Sequence, residues 1–196
     1  RRRAAMSVAL VVINLWAAFA ISWLAAMFWS NTTEKRLGMG QELYYRIVLL
    51  VGGVIFFVPA HGYHGALRLW YLPYIAVWPS VALIVLGFAF SWWARISLGR
   101  LWSGNITKKE DHRVVDTGPY AIVRHPIYTG ILLAVYATMA LKGTVFGIAG
   151  AAIITLGIWM KARLEEGWLA QELGPDAYAD YRRRVPMLLP FGPKRR

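Results

Sequence analysis

Two stretches of this chain hold the residue types from which a reaction site can be built. One reads Gly118-Pro119-Tyr120-Ala121-Ile122-Val123-Arg124-His125-Pro126-Ile127-Tyr128-Thr129-Gly130, and the other Lys161-Ala162-Arg163-Leu164-Glu165-Glu166. Each adjoins a long apolar run, where charged groups are costly to place, so their clustering is informative. Pro126 suits the first turn of a helix, because it lacks the N–H that would go unpaired there. The positive end of that helix, with Arg124 and His125 beside it, favours an anionic group such as a carboxylate. Glu165 and Glu166 can accept hydrogen bonds from hydroxyls or attract a cationic centre, and Tyr120 and Tyr128 add aromatic faces and phenol donors. An anion end, a hydroxyl or cation end and aromatic walls suit a zwitterionic nucleoside such as S-adenosylmethionine, among other cofactors that share these groups.

The elements that must position these residues are membrane helices. The chain has 196 residues, 58% of them hydrophobic and only 16% charged, with a mean hydropathy of +0.44. Soluble domains carry about 25% charged residues, so the chain lacks the charge to coat a water-facing globule. A bilayer core takes about 20 apolar residues in helical form. Ser7 to Trp29 and Tyr74 to Arg95 meet that length, and Ile47 to Leu67 is a further run without Lys, Arg, Asp or Glu whose helical part is read as Tyr44 to about Ala60. Two shorter runs, Ile127 to Leu141 and Thr144 to Met160, are separated by Lys142-Gly143 and read as a helical hairpin with Gly143 at its turn. The expected fold is therefore all-α and polytopic, with about five transmembrane helices. Residues 1–96 are read as spans one to three, serving scaffold and substrate access, and 97–196 as a cofactor-binding region with the hairpin and a C-terminal helix. The hairpin returns the chain to the face it left, so the two reactive stretches should meet there.

The first apolar run is longer than a signal-peptide core of about 7–15 residues and ends in Met27-Phe28-Trp29, so it reads as a retained span. The chain opens without a methionine, and a few preceding residues are expected. Grouping Lys and Arg by side gives 17 on the face of the reactive stretches against 5 on the other, which places that face and the C-terminus in the cytoplasm. The formal charge of +12 comes mostly from residues that flank apolar runs or sit in the tail. That distribution suits anionic lipid headgroups, with Arg182-Arg183-Arg184 and Lys194-Arg195-Arg196 as surface anchors, rather than nucleic acid. Cysteine is absent, which excludes disulfides, thiolate metal sites and cysteine nucleophiles. His61 and His64 have metal-compatible spacing but no third ligand nearby, so a structural or interfacial role is expected and no metal site. His112 reads as solvated, and Ser103 and Asn105 as loop hydrogen-bonding residues. Gly143, Gly147, Gly150, Ala151 and Gly157 form a small-residue face that reads as close helix packing.

The pattern Gly118-x-Tyr120-x3-Arg124-His125-Pro126-x-Tyr128-x-Gly130, a short hairpin and then Glu165-Glu166 resembles the integral membrane isoprenylcysteine carboxyl methyltransferase family. Related phospholipid N-methyltransferases share it more loosely. Upstream, Leu98-Gly99-x2-Trp102-Ser103 and Val114-Val115-x2-Gly118 resemble the segments that precede the motif. Downstream, Leu173-Gly174-x3-Ala177-Tyr178-x2-Tyr181 resembles the family's tail. The likeness covers about Leu98 to Pro190. It implies S-adenosylmethionine as cofactor, held at the cytosolic face by Val115, Gly118, Tyr120, His125, Pro126, Tyr128, Glu165 and Glu166. A lipophilic or prenylated acceptor would enter from the bilayer and face Arg124 or Arg163. Glu165 or Glu166 would act as base if the acceptor were an amine. The family often has an arginine four residues before the first glutamate; here that residue is Lys161, which cannot make arginine's bidentate fork. The expected reaction is methyl transfer, most readily to an isoprenoid-type carboxylate, with a phospholipid amine or a small thiol as alternatives. The membrane would be a bacterial inner membrane or of endoplasmic-reticulum type. Membrane sterol reductases resemble the family's cofactor region but use NADPH and are usually longer. A non-catalytic protein is disfavoured by the intact motif.

Overall fold

A helix stands at each of the five expected spans. The computed structural model describes residues 2–29, 33–36, 38–58, 67–99, 102, 107–109, 115–172 and 175–191. In chain order the elements are α1 (Arg2–Ala26), β1 (Thr33–Arg36), α2 (Met39–Phe57), α3 (Tyr74–Leu98), β2 (Thr107–Lys109), α4 (Pro119–Ile122), α5 (Pro126–Lys142), α6 (Val145–Glu172) and α7 (Pro175–Arg184). Val8–Ala26, Tyr74–Leu98 and Val145–Gln171 are long and apolar enough to cross a membrane, while the apolar helix Pro126–Lys142 is shorter. Large apolar side chains such as Ile21, Ile75, Leu86 and Leu156 point outward, as a lipid-facing surface requires.

Two helix pairs hold the molecule together: α3 packs on α5, and α2 packs on α6. In both, glycine lets backbones touch. A Cβ added to Gly87 would lie 2.5 Å from the Gly130 carbonyl oxygen, and one on Gly150 would lie 2.5 Å from Phe56 Cα. The small-residue face read from the sequence is thus the α2–α6 seam at Gly150 and Gly157, where Leu49 packs. Gly147 faces only its own turn and the end of α5. The central apolar cluster joins Phe56 of α2, Leu132 and Val135 of α5 and Ala151, Ile154 and Ile158 of α6. A second cluster joins Ile84 and Phe88 of α3 to Ala134 and Ala137 of α5, and Phe19 of α1 stacks on Phe88 at 4.2 Å.

Gly143 closes the α5–α6 hairpin in the left-handed region at φ 56°, as its position after a helix suggests. Its carbonyl accepts from Leu69 N at 2.8 Å, and the Trp70 indole donates to Ala140 O at 2.9 Å. The Lys142 ammonium donates to the carbonyls of Phe56 and Val58, capping the end of α2 with a cation. At the other face Arg95 is fully buried. It donates to Ala26 O at 2.8 Å, Trp29 O at 2.5 Å and Gly99 O at 2.6 Å, and lies between the Trp29 and Trp102 rings. One arginine so ties the ends of α1 and α3.

Two features differ from expectation. The last span continues without a break through Lys161 to Glu172, because residues 161–166 are good helix formers with no proline among them. The all-α reading also lacks a small antiparallel ribbon, in which β1 pairs with β2 and Lys35 stands opposite Lys108. Its strands belong to the α1–α2 and α3–α4 connections, and its register brings those two connections together. No local pattern in three or four polar residues announces such pairing.

The α3–α5 contact makes a direct prediction. Gly130→Ala places a methyl against the Gly87 carbonyl and Ser91, and overpacking of this kind costs about 1–3 kcal/mol. Gly53→Ala, with nothing within 4 Å of the new Cβ, should be neutral or slightly stabilising. Thermal unfolding of both variants in detergent checks the contrast.

Candidate functional site

The site begins at a break between helices. Gly118 adopts φ 59°, Pro119 opens the single turn of α4, and Val123 leaves it in extended conformation. Pro126 opens α5, which bars His125 from helical geometry and leaves it as the N-cap at φ −123°. Residues 124 and 125 therefore offer free backbone donors. Arg124 N bonds Pro186 O at 2.9 Å and His125 N bonds Met187 O at 3.1 Å. Thr129 Oγ1 adds a bond to Leu188 O at 2.6 Å, so the segment after α7 lies along the start of α5.

Side chains lock the same junction. Arg124 Nε donates to Glu166 Oε1 at 2.6 Å, with the two side chains only 4% and 2% exposed. Arg124 Nη1 donates to the carbonyls of both Val185 and Arg182. His125 Nε2 lies 3.3 Å from Glu166 Oε1, and Arg182 Nε 3.5 Å from Glu166 Oε2. Glu166 thus draws α5, α6 and α7 to one carboxylate. Tyr181 Oη, also from α7, donates to Tyr120 O at 2.8 Å. Burial pushes the phenols of Tyr120, Tyr178 and Tyr181 well above their ordinary values, with the Glu165 and Glu166 carboxylates adding to the shift at Tyr178. All three stay neutral, and Tyr181 is the donor to Tyr120 O.

The adjacent glutamate has a different environment. Consecutive helix positions point about 100° apart, so Glu165 and Glu166 face different surroundings, with the two nitrogens of His125 lying one toward each. Tyr128 Oη donates to Glu165 Oε2 at 2.8 Å, and His125 Nδ1 lies 3.9 Å from the same oxygen. The His125 and Tyr128 rings stack at 5.3 Å with planes 8° apart. The Glu165 side chain keeps 30% of its exposure, and among the described residues its hydrogen bond and ion contact both use Oε2.

Lys161, one turn earlier on α6, places Nζ 5.4 Å from the Tyr128 ring centre and 5.8 Å from that of Tyr45 on α2. Arg163 is exposed, with its guanidinium 5.8 Å from the Trp159 ring on its own helix. Gly118 sits beside Ser97 and Trp93 of α3. Val115 and Tyr120 pack with Ala94, Trp102 and Ile127. The fold therefore gathers Tyr120, Arg124, His125, Pro126, Tyr128, Glu165 and Glu166 at one junction. It sets Val115 and Gly118 along the α3 side and Arg163 on the outer face of α6. His61, His64, Ser103, Asn105 and His112 lie outside the described residues.

Residues 80–171 match the isoprenylcysteine carboxyl methyltransferase family. This segment is similar to that family. The chain is 32% identical over 115 residues to protein-S-isoprenylcysteine O-methyltransferase B of Arabidopsis thaliana, covering 57% of this chain and 58% of that protein. It is 45% identical over 73 residues to methanethiol S-methyltransferase 2 of Bradyrhizobium diazoefficiens, covering 36% and 26%. It is 31% identical over 106 residues to protein-S-isoprenylcysteine O-methyltransferase of Schizosaccharomyces pombe, covering 51% and 43%. The chain spans about a quarter to three fifths of the length of these relatives. The family match takes in most of α3, all of α4 and α5 and nearly all of α6, while α7, the third helix of the junction, lies beyond it.

Several residues of the junction are not evident from the sequence. Arg182 belongs to a triplet read as a lipid anchor. In the structure Arg183 and Arg184 pair with Asp180 and Asp116 at the surface, while Arg182 turns in. Its position one helical turn after Tyr178 is the signal, since Tyr178 and Tyr181 mark the buried face of α7. Lys161 and Tyr45 meet across two helices far apart in sequence, which no spacing shows.

Breaking a buried ion pair by removing one partner costs about 3–5 kcal/mol, because the other charge is left uncompensated. Glu166→Gln should therefore lower unfolding stability by about 3 kcal/mol. Arg163→Ala, at an exposed position, should change it by no more than about 0.5 kcal/mol. Thermal unfolding in detergent distinguishes the two.

Proposed function

We propose that the protein is a membrane methyltransferase that uses S-adenosylmethionine to modify a lipophilic acceptor reaching the site from the bilayer. The observation that carries this reading is the α5–α6 junction within the family-matched segment. There a half-open carboxylate, Glu165, stands beside the stacked His125–Tyr128 pair. That donor set fits the cofactor: Glu165 keeps an oxygen for a ribose hydroxyl or the cationic end, and the rings offer a flat wall for a base. Val115, Gly118, Tyr120 and Pro126 complete the lining in this proposal.

When bound, S-adenosylmethionine supplies a methyl carbon to which the acceptor's lone pair bonds while the carbon–sulfur bond breaks, leaving its electron pair on sulfur. The protein's own share is to bind, orient and exclude water, and orientation alone can supply much of the rate enhancement for such a displacement. Glu166 and Arg124 hold the wall of the site in register with α7 and the segment after it. Glu165 and Tyr128 fix the cofactor's polar end. Arg163, exposed beside Trp159, meets the acceptor or an anionic headgroup at the rim. For an amine acceptor, Glu165 would take the proton; Glu166, held by Arg124 and His125 in an ionised pair, is not free to do so.

Five spans, with residues 1–96 as scaffold and access and the C-terminus cytoplasmic, are the arrangement that the lysine and arginine distribution supports. The basic tail then faces anionic lipid. Among the relatives, one name specifies an isoprenylcysteine oxygen and another the sulfur of methanethiol. Those names support an isoprenoid-type carboxylate as the first choice of acceptor and a small thiol as the alternative, with a phospholipid amine as a third.

Binding tests the cofactor assignment without knowledge of the acceptor. S-adenosylhomocysteine at a hundred times its Kd should stabilise the protein by about 2.7 kcal/mol, whereas NADPH should not. Glu165→Gln should weaken S-adenosylhomocysteine at least about tenfold, roughly 1.4 kcal/mol, with less loss of thermal stability than Glu166→Gln. A protein stabilised by NADPH and indifferent to S-adenosylhomocysteine would contradict the proposal.

A further inference from the structure

Arg95 is the largest fully buried side chain among the described residues, and it stands beside the site without belonging to its lining. It lies in the last turn of α3, where a cation suits the open carbonyls of a helix end. Its bonds to Ala26 O, Trp29 O and Gly99 O are ones that any cation of that reach could make, a lysine included. The guanidinium does more than this. Its carbon lies over two indole rings, 4.8 Å from the centre of Trp29 and 4.5 Å from that of Trp102. Its Nε is buried and makes no hydrogen bond among the described residues, so hydrogen bonding alone does not account for where the group sits. Trp102 lies in the connection after α3, outside any helix or strand, and its N–H reaches Gly99 O only at 3.4 Å. Side-chain packing therefore sets the place of the ring. Trp23 meets it edge-on at 5.6 Å, Arg95 lies over it, and Ala94, Tyr120 and Ile127 complete the cluster, with Val115 packed against it. Tyr120 and Val115 are two of the residues assigned to the cofactor lining.

We infer that Arg95 is a positioning residue for the cofactor end of the proposed site, holding the Trp102 ring against Tyr120 and Val115 while touching no reactant itself. The inference rests on the methyl-transfer reading above and adds to it a residue outside the lining. A cation over an indole is held more firmly away from water than at a surface, because less solvation competes with the ring. Lysine could reach the same carbonyls, but its point charge lacks the planar face that covers two rings at once. The same side chain reaches α1. Ala26 and Trp29 precede the family-matched residues 80–171, so Arg95 joins the end of α1 to the Tyr120 wall. Loosening that link frees Trp102, and with it the surface on which Tyr120 and Val115 rest. The loss then falls on cofactor affinity more than on the helix bundle.

The full chain in lipid nanodiscs tests this with S-adenosylhomocysteine as the probe. Its Kd is measured by titration calorimetry at a temperature where each variant is folded, beside thermal unfolding of the same samples. Arg95→Lys keeps a cation on the carbonyls and should keep most of the thermal stability, yet bind S-adenosylhomocysteine about tenfold more weakly. Trp102→Leu should weaken binding by a similar factor, whereas Trp102→Phe, which leaves a ring under the guanidinium, should stay within about threefold of wild type. Because Arg95 acts through Trp102, the double variant Arg95→Lys/Trp102→Leu should bind within about threefold of the weaker single variant. Phe88→Leu, which removes the stack on Phe19 elsewhere in the α1–α3 contact, should lose stability and still bind within about twofold of wild type. Wild-type affinity in Arg95→Lys or Trp102→Leu, losses that multiply in the double variant, or a loss of affinity in Phe88→Leu matching that in Arg95→Lys overturns the inference. Should Arg95→Lys fail to fold, Trp102→Leu against Trp102→Phe carries the same decision. If the wild type fails to bind S-adenosylhomocysteine, the methyl-transfer reading itself fails; if it binds and the Arg95 and Trp102 variants bind equally well, that reading stands and the Arg95 assignment alone is lost.

Discussion

The buried pair of Arg124 and Glu166 is the constraint on which the reactive face depends. Neither charge can be left alone at a helix junction away from water, and each makes its further contacts to a different part of the chain. Arg124 reaches the carbonyls at the end of α7, and Glu166 receives His125 and Arg182. A pair of this kind gains little net stability, because desolvation offsets the attraction. What it supplies is geometry: only one arrangement of α5, α6 and α7 satisfies both partners at once. The extended residues before α5 then find their backbone partners in Pro186 and Met187 as part of the same closure.

Around that junction the rest of the bundle acts as a frame. Gly87, Gly130 and Gly150 allow backbone contact along two seams, which fixes the spacing of α3, α5, α2 and α6 to within a side-chain width. Arg95 and Lys142 tie off helix ends at opposite faces with their charges on carbonyls. The frame leaves one glutamate of the adjacent pair fully engaged and the other half open. A buried, paired carboxylate and a partly exposed one therefore stand on neighbouring residues, which requires α6 to stay helical past the end of its apolar run.

Much of this was legible in the sequence where a local rule applied. Pro126 at a helix start, Gly143 at a left-handed turn and the glycine face of the last span each follow from backbone sterics, and each stands where those rules put it. The meeting of the Arg124-His125-Pro126 stretch with Glu165-Glu166 followed from hairpin topology. The division of labour between the two glutamates did not, because it depends on which way α6 is rotated against α5. The inward turn of Arg182, the burial of Arg95 and the approach of Tyr45 to Lys161 depend on distant helices packing together. The ribbon of β1 and β2 is a pairing of short polar segments with no periodicity to betray it.

The central claim is that the Arg124–Glu166 contact holds the cofactor wall in place. A double-mutant cycle of Arg124→Met and Glu166→Met, read in both unfolding stability and S-adenosylhomocysteine affinity, tests it most directly. The two single variants should each lose stability and affinity, and the double variant should lose much less than their sum, giving a coupling of about 2 kcal/mol in stability. Additive losses, or single variants that bind S-adenosylhomocysteine as tightly as the wild type, would contradict the account.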